Sequence, residues 1–174
     1  MVRKIRSRKW EREIRPRIKL YKFENLDEDV QNKLIQEQAE FYSDYLIDDI
    51  DNEGKEIFRE SLEAENFKDI DFKFEEWDLD RNYLYTSGSA YYGKYTVTWK
   101  HDNWKNEFEV VETDDYGVEA PEKTYNLIKE IIENEEKHTL KAMRDSYNYA
   151  MDYDNIKKDL IEQDYLYTAD GERE

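Results

Sequence analysis

The residues that most often carry out chemistry are few in this chain and poorly placed for catalysis. There is no cysteine, which excludes a disulfide framework, a thiolate metal site and a cysteine nucleophile. The two histidines, His101 and His138, fall in a polar turn and among charged helix residues, where surface histidines are usual. The sequence contains neither a phosphate-cradling glycine loop nor a nucleophile elbow. We therefore expect a protein that is not an enzyme, has no catalytic residue and uses no cofactor.

Clustered carboxylates are the remaining candidates for metal chemistry. Residues 78–82 copy the first half of a calcium-binding loop, but Tyr83 replaces its glycine and Ser89 its bidentate glutamate. Asp114 and Asp115 share a polar turn, where paired carboxylates are usually only solvated. We predict no metal site. A carboxylate-metal hydrolase is a further alternative, and it would draw on Asp69, Asp71, Asp78, Asp80, Asp114 or Asp115.

A row of acidic residues in the first predicted helix is the most informative spacing. These residues recur every three or four positions, so they share one side of a helix and stand ~5–6 Å apart along its axis. Nucleic-acid phosphates follow one another at a comparable interval, so the row could present a phosphate-like pattern to a groove lined with Lys and Arg. The simpler alternative is the solvated face of an amphipathic helix. We call these positions the acidic ridge: Glu37, Glu40, Asp44, Asp48 and Asp51.

The N-terminal segment has the opposite charge. Residues 1–22 hold ten basic and two acidic residues, whereas residues 23–174 hold 17 basic and 42 acidic ones. Basic residues beside a stacking aromatic, here Trp10, suit a nucleic-acid-binding tail. Another copy's acidic surface and the RNA of a ribonucleoprotein target are alternative partners. We expect residues 1–13 to form a flexible arm and residues 14–174 a single acidic domain. The basic residues of this segment are Arg3, Lys4, Arg6, Arg8, Lys9, Arg12, Arg15 and Arg17.

Composition limits the class of protein further. The formal net charge is −17, but four Trp, fifteen Tyr and seven Phe supply burial that disordered chains lack. No apolar run approaches the ~18 residues of a membrane span, so we expect a cytoplasmic protein with no membrane partner.

A tyrosine-rich segment suits a protein–protein interface as an alternative to the acidic ridge. Its members are Tyr83, Tyr85, Tyr91 and Tyr92.

Helical periodicity places two long helices at the ends of the chain. Asn25 is the predicted N-cap of the first, and residues 52–54 should break it before a short second helix ending near Ala64. Pro121 suits the first turn of the last long helix, which residues 134–136 could interrupt. Asp152 or Asp154 should cap a final helix. The inward stripe predicted for the first helix comprises Val30, Leu34, Phe41 and Tyr45, flanked by Ile35, Tyr42, Leu46 and Ile50.

Alternating apolar residues predict a sheet in the middle of the chain. We expect a first strand within residues 14–23, then strands near 70–76, 91–100 and 104–112 that pair antiparallel, with a loop or bulge at 86–89. The fold class is therefore α+β, with an antiparallel sheet of about four to five strands packed against helices from both ends of the chain. The side chains predicted to face the helices are Phe72, Phe74, Val97, Trp99 and Phe108.

Several segments resemble a family of small bacteriophage accessory proteins, sometimes labelled antitoxin-like. Residues 20–26, Leu-Tyr-Lys-Phe-Glu-Asn-Leu, are similar to the family's opening strand and helix start. Residues 161–171 resemble its closing aromatic, Thr, acidic and Gly stretch, and residues 114–121 its acidic loop before the penultimate helix. Residues 74–89 stand where the family carries a Gly-Asp-Gly motif, which this chain lacks.

The resemblance implies a phage or mobile-element gene, and small acidic proteins of that origin often inhibit host defence, as anti-CRISPR proteins do. We expect a non-enzymatic inhibitor that blocks a host defence nuclease or ribonucleoprotein with a DNA-mimicking acidic surface. The alternative is a nucleic-acid-binding or regulatory module that works through the basic arm. Both functions leave room for a homo-oligomer.

Overall fold

The computed structural model describes residues 19–102, 104, 106–114 and 117–173. Two long helices pack against one face of a four-stranded sheet, and a short helix and a two-stranded sheet pack against the start of the first long helix. The elements are β1 (Tyr21–Lys22), a 3-10 turn (Phe23–Asn25), α1 (Glu28–Ala64), β2 (Phe67–Asp78), β3 (Tyr83–Tyr92), β4 (Tyr95–His101), β5 (Asn106–Glu112), α2 (Glu122–Ala150), α3 (Tyr153–Glu162) and β6 (Leu166–Tyr167).

The central sheet is an antiparallel meander in the order β2-β3-β4-β5, so the α+β class and the antiparallel pairing are confirmed. Asn82 and Gly93, both with positive φ, form the turns on either side of β3. Two residues join β3 to β4, because Tyr92 pairs with Tyr95. Turns this short favour residues that accept positive φ, and Gly93 does so without steric cost.

The sheet buries one face against both long helices. Val97 and Trp99 of β4 are buried, and Phe72, Phe74 and Phe108 are half-buried against the same core, so the predicted inward face is confirmed. The helices and strands contribute a shared set of buried side chains: Phe58, Leu62, Phe67, Ile70, Ala90, Val97, Trp99, Val110, Ile128 and Ile132.

A second, smaller core lies where the chain ends meet. β1 pairs antiparallel with β6, Tyr21 opposite Tyr167, and this ribbon covers the start of α1 together with α3. The buried residues of this core are Phe23, Leu26, Leu34, Ile35, Ile156, Leu160 and Tyr167. Helix α1 therefore contributes to two separate cores, with its first part in the small core and its last part in the large one.

The predicted break in α1 at residues 52–54 is wrong. The helix runs unbroken from Glu28 to Ala64. Gly54 lies inside it at a point of close contact with neighbouring elements. A Cβ at this position would stand 2.6 Å from the sulfur of the buried Met143 and 3.2 Å from Cε2 of Phe74. Glycine thus lets α1 approach α2 and the sheet closely, which outweighs its low helix propensity.

The helix ends differ from expectation at one place and agree at another. Asn25 ends the 3-10 turn, and Asp27 occupies the N-cap of α1 without a side-chain cap. The predicted aspartate cap of α3 is confirmed, since Asp152 accepts hydrogen bonds from the backbone N–H groups of Asp154 and Asn155. Helix α2 is also continuous through residues 134–136.

The strand prediction missed β3 and misplaced Trp104. Residues 86–89 form the middle of β3, and the expected strand 91–100 is the end of β3, a turn, and β4. Gly88 lies between Phe72 of β2 and Trp99 of β4, so its lack of a side chain reflects crowding within a strand. Trp104 lies outside β5 and is 92% exposed.

Candidate functional site

Helix α1 is the most negatively charged element of the folded domain, with twelve acidic and three basic residues. Between Leu34 and Gly54 the chain has seven acidic residues and no basic one. Helix α2 differs, with six acidic and five basic residues over its 29 positions. The negative charge is therefore greater on α1 than on α2, the other long helix.

The acidic ridge is partly exposed. Glu37, Glu40 and Asp48 are exposed, whereas the side chain of Asp44 lies outside what the structure describes. Asp51 differs from these exposed residues because it is half-buried. Its carboxylate accepts a hydrogen bond from Trp77 Nε1 at 2.9 Å and pairs with Lys55. Asp51 thus ties α1 to the edge strand β2. We use the term acidic face for Glu37, Glu40 and Asp48.

Two aromatic rings stand beside the acidic face. Phe41 is 50% exposed and Tyr45 is 64% exposed, so their predicted place in the core stripe is wrong. Their ring centroids lie 4.5 Å apart at an interplanar angle of 35°. The buried sector of α1 turns along the helix, from Leu34 in the small core to Phe58 in the large one, and this turn leaves both rings outside. Exposed aromatics next to charge are typical of interaction surfaces.

An open groove of about 820 Å³ is lined in part by Phe41. It runs between α1 and the C-terminal segment, and its apolar lining includes Phe41, Tyr42, Leu160 and Tyr165. Tyr42 donates a hydrogen bond to Asp159 of α3 at 3.2 Å. Burial raises the pKa of the Tyr42 phenol, and the charge of Asp159 raises it further. The rim carries Glu37 and Glu172 together with Lys33 and Arg173. We call this feature the α1–β6 groove.

The tyrosine-rich segment forms two separate sites. Tyr83 and Tyr85 stack at one end of β3 with ring centroids 4.9 Å apart, and a hydrogen bond from Tyr83 to Glu76 raises the pKa of Tyr83 to about 12. Tyr91 and Tyr92 lie six or more residues away, roughly 20 Å along a strand. Tyr92 packs on Phe67, whereas Tyr91 is 41% exposed. No single patch contains all four.

Sequence reasoning missed a buried polar network between the sheet and α2. Glu136 is only 4% exposed, and its Oε1 accepts hydrogen bonds from the backbone N–H and the hydroxyl of Thr86. Its Oε2 lies 2.9 Å from His101 Nδ1, and Trp99 Nε1 donates to the Thr86 hydroxyl at 2.9 Å. The Glu136 carboxylate raises the pKa of His101 despite the desolvation that opposes it. Hence His101, expected as a surface residue, is half-buried and holds β4 to α2.

The helical spacing of Glu136 in the sequence indicates that this acid is buried. Glu136 follows the buried Ile132 by four residues and precedes Leu140 by four, so it lies in the core stripe of α2. An acid at such a position needs partners, because an unpaired buried charge is costly. Its partners come from strands about 35 and 50 residues away in sequence, and no local pattern identifies them.

Among the carboxylates considered for metal binding, Asp78 stabilises a turn. Its Oδ1 accepts hydrogen bonds from the backbone N–H groups of Asp80 and Arg81 in the turn between β2 and β3.

The remaining candidates are exposed or lie outside the described residues. Asp114 is exposed, while Asp115 and the basic arm residues up to Arg17 lie outside the described residues. His138 is a surface residue that pairs with Glu135 at 3.2 Å. Among the described residues, no group of three or more potential ligands could hold a metal ion.

Comparison with known proteins returns no match to any family model, to any curated protein or to any solved structure. Within the described part of the chain, no helix combines the length and the apolar character needed to cross a membrane.

Proposed function

We propose that this protein is a non-enzymatic inhibitor that binds, through the acidic face of α1, a basic nucleic-acid-binding groove of a host defence complex. The observation that carries the proposal is the run of seven acidic residues without a basic one on α1, beside the exposed pair Phe41 and Tyr45. Along the helix axis Glu37 and Glu40 stand ~4.5 Å apart, and Asp48 lies ~12 Å beyond Glu40. These spacings are near one and two steps of a phosphate row, so the three carboxylates offer Lys and Arg side chains an arrangement comparable to part of a phosphate backbone.

The two features of this face have different roles. Charge steers the partner and sets a strong dependence on salt, since exposed charges are screened over ~8–10 Å at physiological ionic strength. Aromatic side chains at the centre of an interface supply most of the affinity. The rings of Phe41 and Tyr45 already contact each other, so little side-chain freedom is lost on binding.

Photo-crosslinking from Tyr45, beside the acidic face, tests this proposal. A benzophenone amino acid at position 45 should capture a nucleic-acid-binding protein from bacterial lysate, and DNA or guide RNA added as competitor should suppress the capture. The matched control carries the same group at Tyr149, which is 68% exposed against 64% for Tyr45 but belongs to α2. Equal capture from both positions, or capture indifferent to nucleic acid, would contradict the proposal.

The alternative of a nucleic-acid-binding module rests on the basic arm, which lies outside the described residues. It stays a prediction, and it requires that the isolated protein bind DNA or RNA directly.

A further inference from the structure

The α1–β6 groove has a composition that calls for a particular kind of occupant. Part of its lining is aromatic, with Phe41, Tyr42 and Tyr165 on its walls, and the guanidinium of Arg173 lies over the Tyr165 ring. Its rim continues along α1 into the acidic face, where no basic residue intervenes between Leu34 and Gly54. An occupant that suits both parts has one large apolar side chain flanked by several cations.

The chain itself contains such a segment. Trp10 is preceded by Arg8 and Lys9 and followed by Arg12, and residues 1–18 hold eight basic and two acidic residues. This segment joins the described chain at Lys19, two residues before Tyr21, which pairs with the groove residue Tyr167. The attachment point is therefore at the groove.

The length of the connection also fits. Eleven peptide units separate Trp10 from Tyr21, which allows an extended reach of about 35 Å. The acidic face from Glu37 to Asp48 covers only about 17 Å of helix axis. The segment can thus place its ring in the groove and its cations along α1 without strain.

We propose that residues 1–18 dock on their own domain, with Trp10 in the α1–β6 groove and the neighbouring basic side chains on the acidic face. The chain then occupies the surface through which it binds a basic partner, and a partner must displace the segment. Docking itself follows from the groove and the charges, whereas its regulatory consequence rests on the proposed function.

Disulfide trapping in the full-length, naturally cysteine-free chain tests the docking. Ser7→Cys is combined with Gln163→Cys at the groove, or with Thr98→Cys on the outer face of the sheet as the matched control. Both second sites are exposed and neutral. We expect the groove pair to form an intramolecular disulfide at least about tenfold faster than the control pair. High salt and Trp10→Ala should each reduce that difference.

Equal trapping rates for the two pairs would overturn the docking, and so would a groove rate insensitive to both salt and Trp10→Ala. Disulfide-linked dimers that increase with protein concentration would assign the segment to a second copy and overturn docking within one chain. Trapping needs no partner, so its outcome is independent of the proposed inhibition. If both proposals hold, Trp10→Ala should also tighten binding of the captured partner. The dissociation constant should fall by roughly the factor with which the undocked fraction of the protein rises.

Discussion

At the scale of single residues, Glu136 is the most consequential side chain of the fold. It is a buried carboxylate whose two oxygens serve Thr86 and His101 on different strands. Removing one partner of such a network leaves the others desolvated and unpaired, which costs more than the net value of the contacts.

We predict that Glu136→Ala lowers the free energy of unfolding by about 3 kcal/mol, because the backbone N–H of Thr86 and the ring of His101 lose their acceptor. Glu130→Ala, on the exposed side of the same helix, is the matched control and should change it by no more than ~0.5 kcal/mol. Urea unfolding at neutral pH measures both variants. A similar small effect for both would show that the network contributes little.

The His101–Glu136 pair also predicts a pH dependence. Because the folded-state pKa of His101 is raised above its unfolded value of about 6.5, the folded state binds the proton more tightly. This stabilisation is fully present below pH ~6.5 and is lost as pH rises through the raised pKa. The free energy of unfolding of the native protein should fall over that window relative to His101→Gln. Parallel pH profiles for the two proteins would contradict the assignment.

At the scale of elements, the strongest structural constraint is the crowding inside β3. A Cβ on Gly88 would stand 2.5 Å from the carbonyl oxygen of Asp71, 2.7 Å from Trp99 Cζ2 and 2.8 Å from Phe72 Cβ. A carbonyl within a ladder and a buried indole have little freedom to move aside.

Gly88→Ala should therefore destabilise the protein by about 1–3 kcal/mol, the usual cost of overpacking. Ser89→Ala, the neighbouring position on the other face of β3, should stay within ~0.5 kcal/mol. Thermal unfolding of the two variants provides the comparison. A neutral Gly88→Ala variant would mean that β2 and β4 are more widely spaced than described.

The elements also show what could be predicted from the sequence. Strong periodicity located the helices and the inward face of the sheet, because Val97, Trp99 and Phe108 alternate with polar residues. It failed at Gly93, since a two-residue turn preserves the alternation from Tyr91 to Tyr95 and hides the hairpin. Gly54 was interpreted as a break because its role depends on Met143, which is 89 positions away.

The candidate site was predictable to a different degree. The acidic spacing of Glu37, Glu40 and Asp48 is local and could be recognised directly. The exposure of Phe41 and Tyr45 could not, since a helix that bridges two cores turns its buried sector along its length. The strand partners of Asp51 and Glu136 lie far away in sequence, so only the tertiary structure identifies them.

At the scale of the whole molecule, the charges form a separated pattern: a basic N-terminal segment, a strongly acidic α1 and a nearly neutral α2. Helix α1 joins the two cores and carries the acidic face between them. Binding at this face therefore needs no change in either core.

The affinity of the crosslinked partner for charge variants of α1 tests the central claim most directly. The variant Glu37→Gln/Glu40→Gln/Asp48→Asn removes the acidic face, and Glu56→Gln/Glu60→Gln/Glu63→Gln removes three exposed acids from the same helix on another side. The two variants change the net charge equally.

We predict that the first variant weakens binding about tenfold at low salt, equivalent to about 1.4 kcal/mol, because each exposed ion pair contributes ~0.2–1 kcal/mol. The second should weaken binding less than about twofold, and isothermal titration calorimetry measures both. Equal losses for the two variants would show that only overall charge matters. Unchanged affinity of the first variant would contradict binding through the acidic face.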